Sequence, residues 1–122
     1  MRERRFAIDE ERPVTQQEAA LVRWLLQNGK PTASAHVAEI ELLRVVSRCA
    51  CGCASVDFAR EPGEGLDVLS DYQWEDDDGH LFGVFVFAKR GILAGLEVWS
   101  IDGQAIPTSL PDPAVLRPTL RP

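Results

Sequence analysis

In the stretch "TQQEAALVRWLLQNGKP", Leu21, Val22, Leu25 and Leu26 recur at helical spacing on one face, with Gln16, Arg23 and Gln27 opposite. Both ends are marked. Thr15 is an N-cap residue and Glu18, three positions on, completes a capping box. Gly29 stands where a C-terminal glycine would, and Pro31 stops continuation. The pattern predicts a docked amphipathic helix over 15–28, with Trp24 packing at the margin of its apolar face. The following "TASAHVAEIELL" fits two periods: Val37, Ile40 and Leu43 suit a helix, while His36, Ala38, Ile40 and Leu42 alternate as in a strand. It is read as a short second helix before Arg44, running into a strand at "LRVVSRC".

From there the pattern turns to period two. "SVDFA" is short and rich in β-formers. "LDVLSDYQWE" alternates, with Val68, Ser70, Tyr72 and Trp74 on one side and Leu69, Asp71, Gln73 and Glu75 on the other. "LFGVFVFA" is apolar on both faces, as a strand inside a sheet is, and "GLEVWSID" closes the series. Turn chemistry separates these runs at "EPGEG", "DDDGH" and "KRG", and Asp78-Gly79 is a strong hairpin signal. The predicted fold class is α+β: an N-terminal helix or helices, then an antiparallel meander sheet of four to five strands. One domain spans 1–122. Residues 1–13 read as a flexible N-terminus. Residues 105–122, which hold five of the eight prolines, read as a strap that cannot be a central strand. Leu110, Val115, Leu116 and Leu120 are its docking residues.

Charge narrows the partners. The net charge is −6, and residues 61–122 carry eleven acidic against four basic side chains. Nucleic-acid binding needs the opposite field, so no nucleic-acid partner is expected. Arg2, Arg4 and Arg5 read as a solvated terminus. No apolar run approaches the roughly 18 residues of a membrane span, and the N-terminus lacks the features of a secretory signal. The expected compartment is cytoplasmic, where thiols stay reduced.

All three cysteines fall in "RCACGCASVDF", at Cys49, Cys51 and Cys53. Residues two apart share a strand face, but Gly52 marks a corner. The pattern predicts a hairpin pairing "LRVVSRC" with "SVDFA", and reduced, at least partly buried thiols packed beneath its turn. No cofactor is expected. Zinc is the alternative, although C-x-C-x-C is not the common C-x₂₋₄-C spacing and a fourth ligand would have to come from His36, His80 or Asp57. A thiol-redox pair is a further alternative, although the usual C-x-x-C is lacking. "EDDDGH" has Asp76 and Asp78 in alternation but no twelfth-position Glu, so a solvated hairpin tip is preferred to a calcium loop. Phosphate-binding, zinc-protease and serine-hydrolase motifs are missing from the sequence.

Arg48, Cys49, Cys51, Gly52, Cys53, Ser55 and Asp57, followed by Leu96, Glu97, Val98, Trp99, Asp102 and Gly103, resemble the pattern R-C-x-C-G-C … L-E-V-[aromatic]-x-x-D-G of a small bacterial family. The resemblance covers about residues 44–104. It implies a shared fold and brings no activity. Ala54 stands where the pattern has proline or a similar residue.

The functional expectation is therefore a non-enzymatic protein-binding module, a monomer or homodimer, of the kind that serves as an immunity or antitoxin-like partner. Its candidate surface is the acidic patch Asp71, Glu75, Asp76, Asp77 and Asp78. The alternative is a metal-binding or thiol-redox protein using Cys49, Cys51 and Cys53.

Overall fold

Helix α1 (Gln16–Gln27) starts as its capping box dictates: Thr15 Oγ1 accepts from the Glu18 N–H at 3.0 Å, and Glu18 Oε1 accepts from the Thr15 N–H at 2.8 Å. Its apolar face is fully used, with Leu21, Val22, Leu25 and Leu26 each no more than 1% exposed. The other end differs from expectation. Asn28, at φ −117°, is the C-cap, and Gly29 has no left-handed backbone. Gly29 is needed because the helix end lies against a strand: an added Cβ would stand 2.4 Å from Leu69 O and 2.8 Å from Ser70 Cβ. In this computed structural model, residues 7–60 and 65–119 are described.

The second helical segment is a 3-10 helix, Ala33–Leu42, rather than an α-helix. Its three-residue turn stacks i on i+3. That suits Val37 and Ile40, which meet the core, and leaves Leu42 86% exposed. Glu39 fixes its place, taking His36 Nδ1 with one oxygen and the Leu93 N–H, at 3.2 Å, with the other.

Seven strands among the described residues form one antiparallel sheet: β1 (Ala7–Pro13), β2 (Arg44–Cys49), β3 (Val56–Asp57), β4 (Leu66–Glu75), β5 (Leu81–Lys89), β6 (Ile92–Ser100) and β7 (Arg117–Pro118). The order is β1-β2-β3-β6-β5-β4-β7. This α+β architecture corrects the expected sheet in two respects. It has seven strands rather than four or five, and it is not one meander. After β3 the chain passes beyond the positions of β6 and β5 to begin β4. It then returns by hairpins until β6 pairs with β3 at Val56↔Leu96, a Greek-key order. Of the N-terminal stretch 1–13 expected to be loose, the described part differs from that expectation. Residues 7–13 form an edge strand paired with β2, although "AIDEERP" has no apolar side, because an exposed edge need not bury one. Arg2, Arg4 and Arg5 lie outside the described residues.

The core fills the space between α1, the 3-10 helix and one face of the sheet. Phe82, Val84, Val86 and Ala88 of β5 line it, and the Trp74 ring meets that of Phe82 at a tilt of 51°, centroids 5.3 Å apart. Trp24 is a packing residue, edge-on to Tyr72 at 4.8 Å, and the Tyr72 hydroxyl donates to Asn28 O at 2.7 Å. A bulge at Leu69 interrupts the alternation of β4, so Leu69 and Ser70 are both buried while Val68 lies opposite Phe87.

The C-terminal segment runs as a strap over its described part. Pro107 O accepts from the Ala54 N–H at 2.9 Å, Asp112 caps the 3-10 turn Pro113–Val115, and β7 pairs with Tyr72 and Gln73 at the outer edge of β4. Leu110 and Leu116 pack on the core, but Val115 is half exposed. Leu120 lies outside the described residues. Among the described residues, no helix is long and apolar enough to cross a membrane.

Candidate functional site

The β2–β3 hairpin forms as its sequence predicts, with Arg48 opposite Val56 and Ser47 opposite Asp57. Gly52 adopts φ 91° at the corner, a conformation that glycine accepts without a Cβ clash. This reversal brings the three cysteines together: their Sγ atoms all lie within 4.8 Å of one another. Cys49 Sγ and Cys51 Sγ are 2.8 Å apart. Cys51 is exposed, Cys49 is intermediate and Cys53 is buried. The expectation of buried packing thiols thus holds for Cys53, holds in part for Cys49 and fails for Cys51. The turn lifts Cys51 clear of the core.

A hydroxyl anchors the corner from below. Ser55 is fully buried; its Oγ accepts from the Val98 N–H at 2.9 Å and lies 3.0 Å from Val98 O. The Cys53 thiol lies 3.4 Å from the same oxygen, and Glu97 Oε2 lies 3.3 Å from it. Just before β3, Ser55 therefore stands in for a strand residue and bonds both backbone groups of Val98. In the sequence Ser55 has no evident role, because nothing local shows that β6 is its neighbour.

Beside the corner lies a cleft of about 410 Å³, bordered by Cys53, Ser55, Arg48, Arg12, Glu18 and Ser109 among others. A chain of ion pairs lines it. Arg48 Nε donates to Glu10 at 3.1 Å, Arg12 Nε donates to Glu10 at 2.7 Å, and Arg12 meets Glu18 through two 2.9 Å bonds. Burial pushes the Glu18 carboxyl up, but the Arg12 and Thr15 hydrogen bonds together with the Arg12 charge outweigh it and hold the group below its ordinary value. The Glu18 hydrogen bond in turn raises the Arg12 guanidinium further above neutrality. With its charges paired internally, the cleft is not a ready anion site.

The other candidate ligands are engaged elsewhere. His36 pairs with Glu39, and Asp57 accepts from the Ser47 hydroxyl at 2.7 Å. His80 joins Asp76 and Asp78 at the β4–β5 turn, with ligand atoms within 4.8 Å. Asp76 Oδ1 there already accepts from the N–H groups of Asp78 at 3.0 Å and His80 at 2.8 Å. Those bonds build the turn, with Gly79 at φ 83°. Among the described residues, no His, Asp or Glu joins the three sulfurs.

The acidic patch is not brought together as one surface. Asp71 is half-buried and accepts from the Thr119 hydroxyl of the strap at 3.1 Å. Asp76 belongs to the turn. Glu75, Asp77 and Asp78 remain at the hairpin tip, all three exposed.

The cysteine run and the stretch 96–103 meet in space: Val56 pairs with Leu96, and Ser55 holds Val98. Asp102 follows β6. Its oxygens accept from the Leu81 and Gln104 N–H groups, both at 2.9 Å, and those bonds, Leu81 first, hold its carboxyl low. The chain matches no protein family, no curated protein and no solved structure.

Proposed function

We propose that this protein binds a soft, filled-shell metal ion through Cys49, Cys51 and Cys53, with Zn²⁺ as the leading ion. The observation that carries the reading is the mutual approach of three sulfurs within 4.8 Å on one five-residue turn. Around zinc at about 2.3 Å, tetrahedral thiolates stand about 3.8 Å apart, so the side chains need only small rotations to enclose an ion. Thiolates select Zn²⁺ and Cu⁺ over harder ions. Three protein donors leave zinc one open position, and Cys51, being exposed, puts that position within reach of solvent.

Titration of reduced, metal-stripped protein with Zn²⁺ against a competing chelator is the test, with Cu⁺ in a parallel arm. One equivalent should bind. Cys51→Ser should weaken binding at least about tenfold, since one of three donors is lost, while leaving the fold intact at an exposed turn. Cobalt substitution should give a sulfur-to-metal charge-transfer band that the variant loses. A chelator that strips every ion from wild type, or a variant that binds equally well, would overturn the reading.

A second reading, a module that docks a basic protein partner, is favoured by the gathering of Glu75, Asp77 and Asp78 on one hairpin tip. Such a field chiefly accelerates encounter. Reversing all three to Lys should slow association about tenfold at low salt, with the difference shrinking as salt rises. Stability should stay within about 0.5 kcal/mol, because surface substitutions rarely cost more. Equal recovery of the same proteins by wild type and variant, at every salt concentration, would end this reading.

A further inference from the structure

The three thiols are not equivalent. Cys49 and Cys51 face each other with their sulfurs 2.8 Å apart. Two backbone groups hold them so: the Cys51 N–H points at Cys49 Sγ at 3.4 Å, and the Cys53 N–H at Cys51 Sγ at 3.3 Å. Cys53 is tied elsewhere, its thiol bonded to the buried Ser55 hydroxyl and the residue only 9% exposed. Exposure decides which sulfur an oxidant reaches first, and a neighbouring thiol decides the fate of the oxidised sulfur.

We infer that the corner is a reversible oxidation site, in which hydrogen peroxide oxidises Cys51, Cys49 resolves it to a disulfide, and Cys53 stays a thiol. In the first step the Cys51 sulfur attacks the peroxide. An S–O bond forms, the O–O bond breaks, and the thiol proton leaves with the departing oxygen as water. In the second step the Cys49 sulfur attacks Cys51. The S–S bond forms, the S–O bond breaks, and a second water departs with the Cys49 proton. Two thiols are thus oxidised by two electrons and one peroxide is reduced to two waters. A disulfide spanning one intervening residue closes a small, strained ring, so an ordinary thiol reductant reverses it readily. The inference deepens the metal reading, because the disulfide withdraws two of the three donors and the ion is released.

The test uses the full chain, reduced and stripped of metal, with one equivalent of hydrogen peroxide. The intact mass should fall by two hydrogens, and peptide mapping after alkylation should find Cys49 linked to Cys51 with Cys53 alkylated. Cys53→Ser should form the same disulfide. Cys49→Ser should stop at a sulfenic acid on Cys51, trapped by dimedone. A disulfide that includes Cys53, or linkage only between molecules, would overturn the inference. The metal reading stands apart from this result. Protein that binds zinc but forms no Cys49–Cys51 disulfide refutes the oxidation site alone, and protein that forms the disulfide but binds no metal refutes the metal reading alone. Where both hold, peroxide should release at least nine-tenths of the bound zinc, and reductant should restore binding.

Discussion

Gly29→Ala should destabilise the protein by about 2–3 kcal/mol, near the upper end of what an added methyl costs in a packed interior. The new Cβ would stand 2.4 Å from Leu69 O, 2.8 Å from Ser70 Cβ and 3.0 Å from Ala33 Cβ. Neither chain can yield easily. Leu69 O accepts the Lys30 N–H at 2.9 Å, and Leu69 itself is a bulge residue buried in the core. Alanine also restricts the unfolded chain, which offsets only about 0.4–1 kcal/mol. Gly52→Ala is the informative control. No atom lies within 4 Å of its Cβ position, so the cost there is that of a left-handed backbone at φ 91°, about 1–2 kcal/mol. Urea unfolding of both variants measures the difference. A Gly29→Ala loss under about 0.5 kcal/mol would mean that helix and strand are not in contact as described.

Glu18→Ala should cost about 2–3 kcal/mol at neutral pH. The capping box contributes about 1 kcal/mol of this, and the charge-assisted bonds from Arg12 contribute the rest. The paired Arg12 side chain is 32% exposed and partly recovers water, which keeps the loss below that of a fully buried pair. The pH dependence comes from the direction of the shift. Glu18 lies lower in the folded protein than its ordinary value of 4.5, so its contribution is fully present above that value and lost as pH falls through the folded one. Wild type and Glu18→Gln should therefore differ most at neutral pH and converge in acid. An equal gap at both ends, measured by urea midpoints, would show that the carboxylate charge plays no part.

The features legible in the sequence are those that local chemistry determines. Thr15 and Glu18 announce the start of α1, Asp78-Gly79 the β4–β5 hairpin, and Gly52 the cysteine corner. Each of these signals lies within a few residues of the structure it specifies. Three features depend on distant partners and are not announced. Strand β1 is held by pairing with β2, so its charged residues read as loose chain. Strand β7, two residues long, has no period to detect. The Leu69 bulge moves Val68 out of the expected alternation. The candidate site divides in the same way. The C-x-C-x-C spacing is visible, but the approach of its sulfurs depends on φ at Gly52, and its attachment to β6 depends on Ser55 meeting Val98 across 43 residues. The acidic patch reads as one surface only from proximity in sequence, and the hydrogen bonds of Asp71 and Asp76 divide it.

The sheet's two rims have a consequence for how copies of the chain behave when crowded. Strand β1 presents Asp9, Glu10, Glu11 and Arg12 before ending on Pro13, and its pairing is broken by an irregularity between Asp9 and Arg12. Strand β7 is two residues long and includes Pro118, which has no N–H to offer. Charge, proline, irregular register and brevity are the devices that deny an incoming strand a template. Growth into fibres by strand addition is thereby discouraged at both rims.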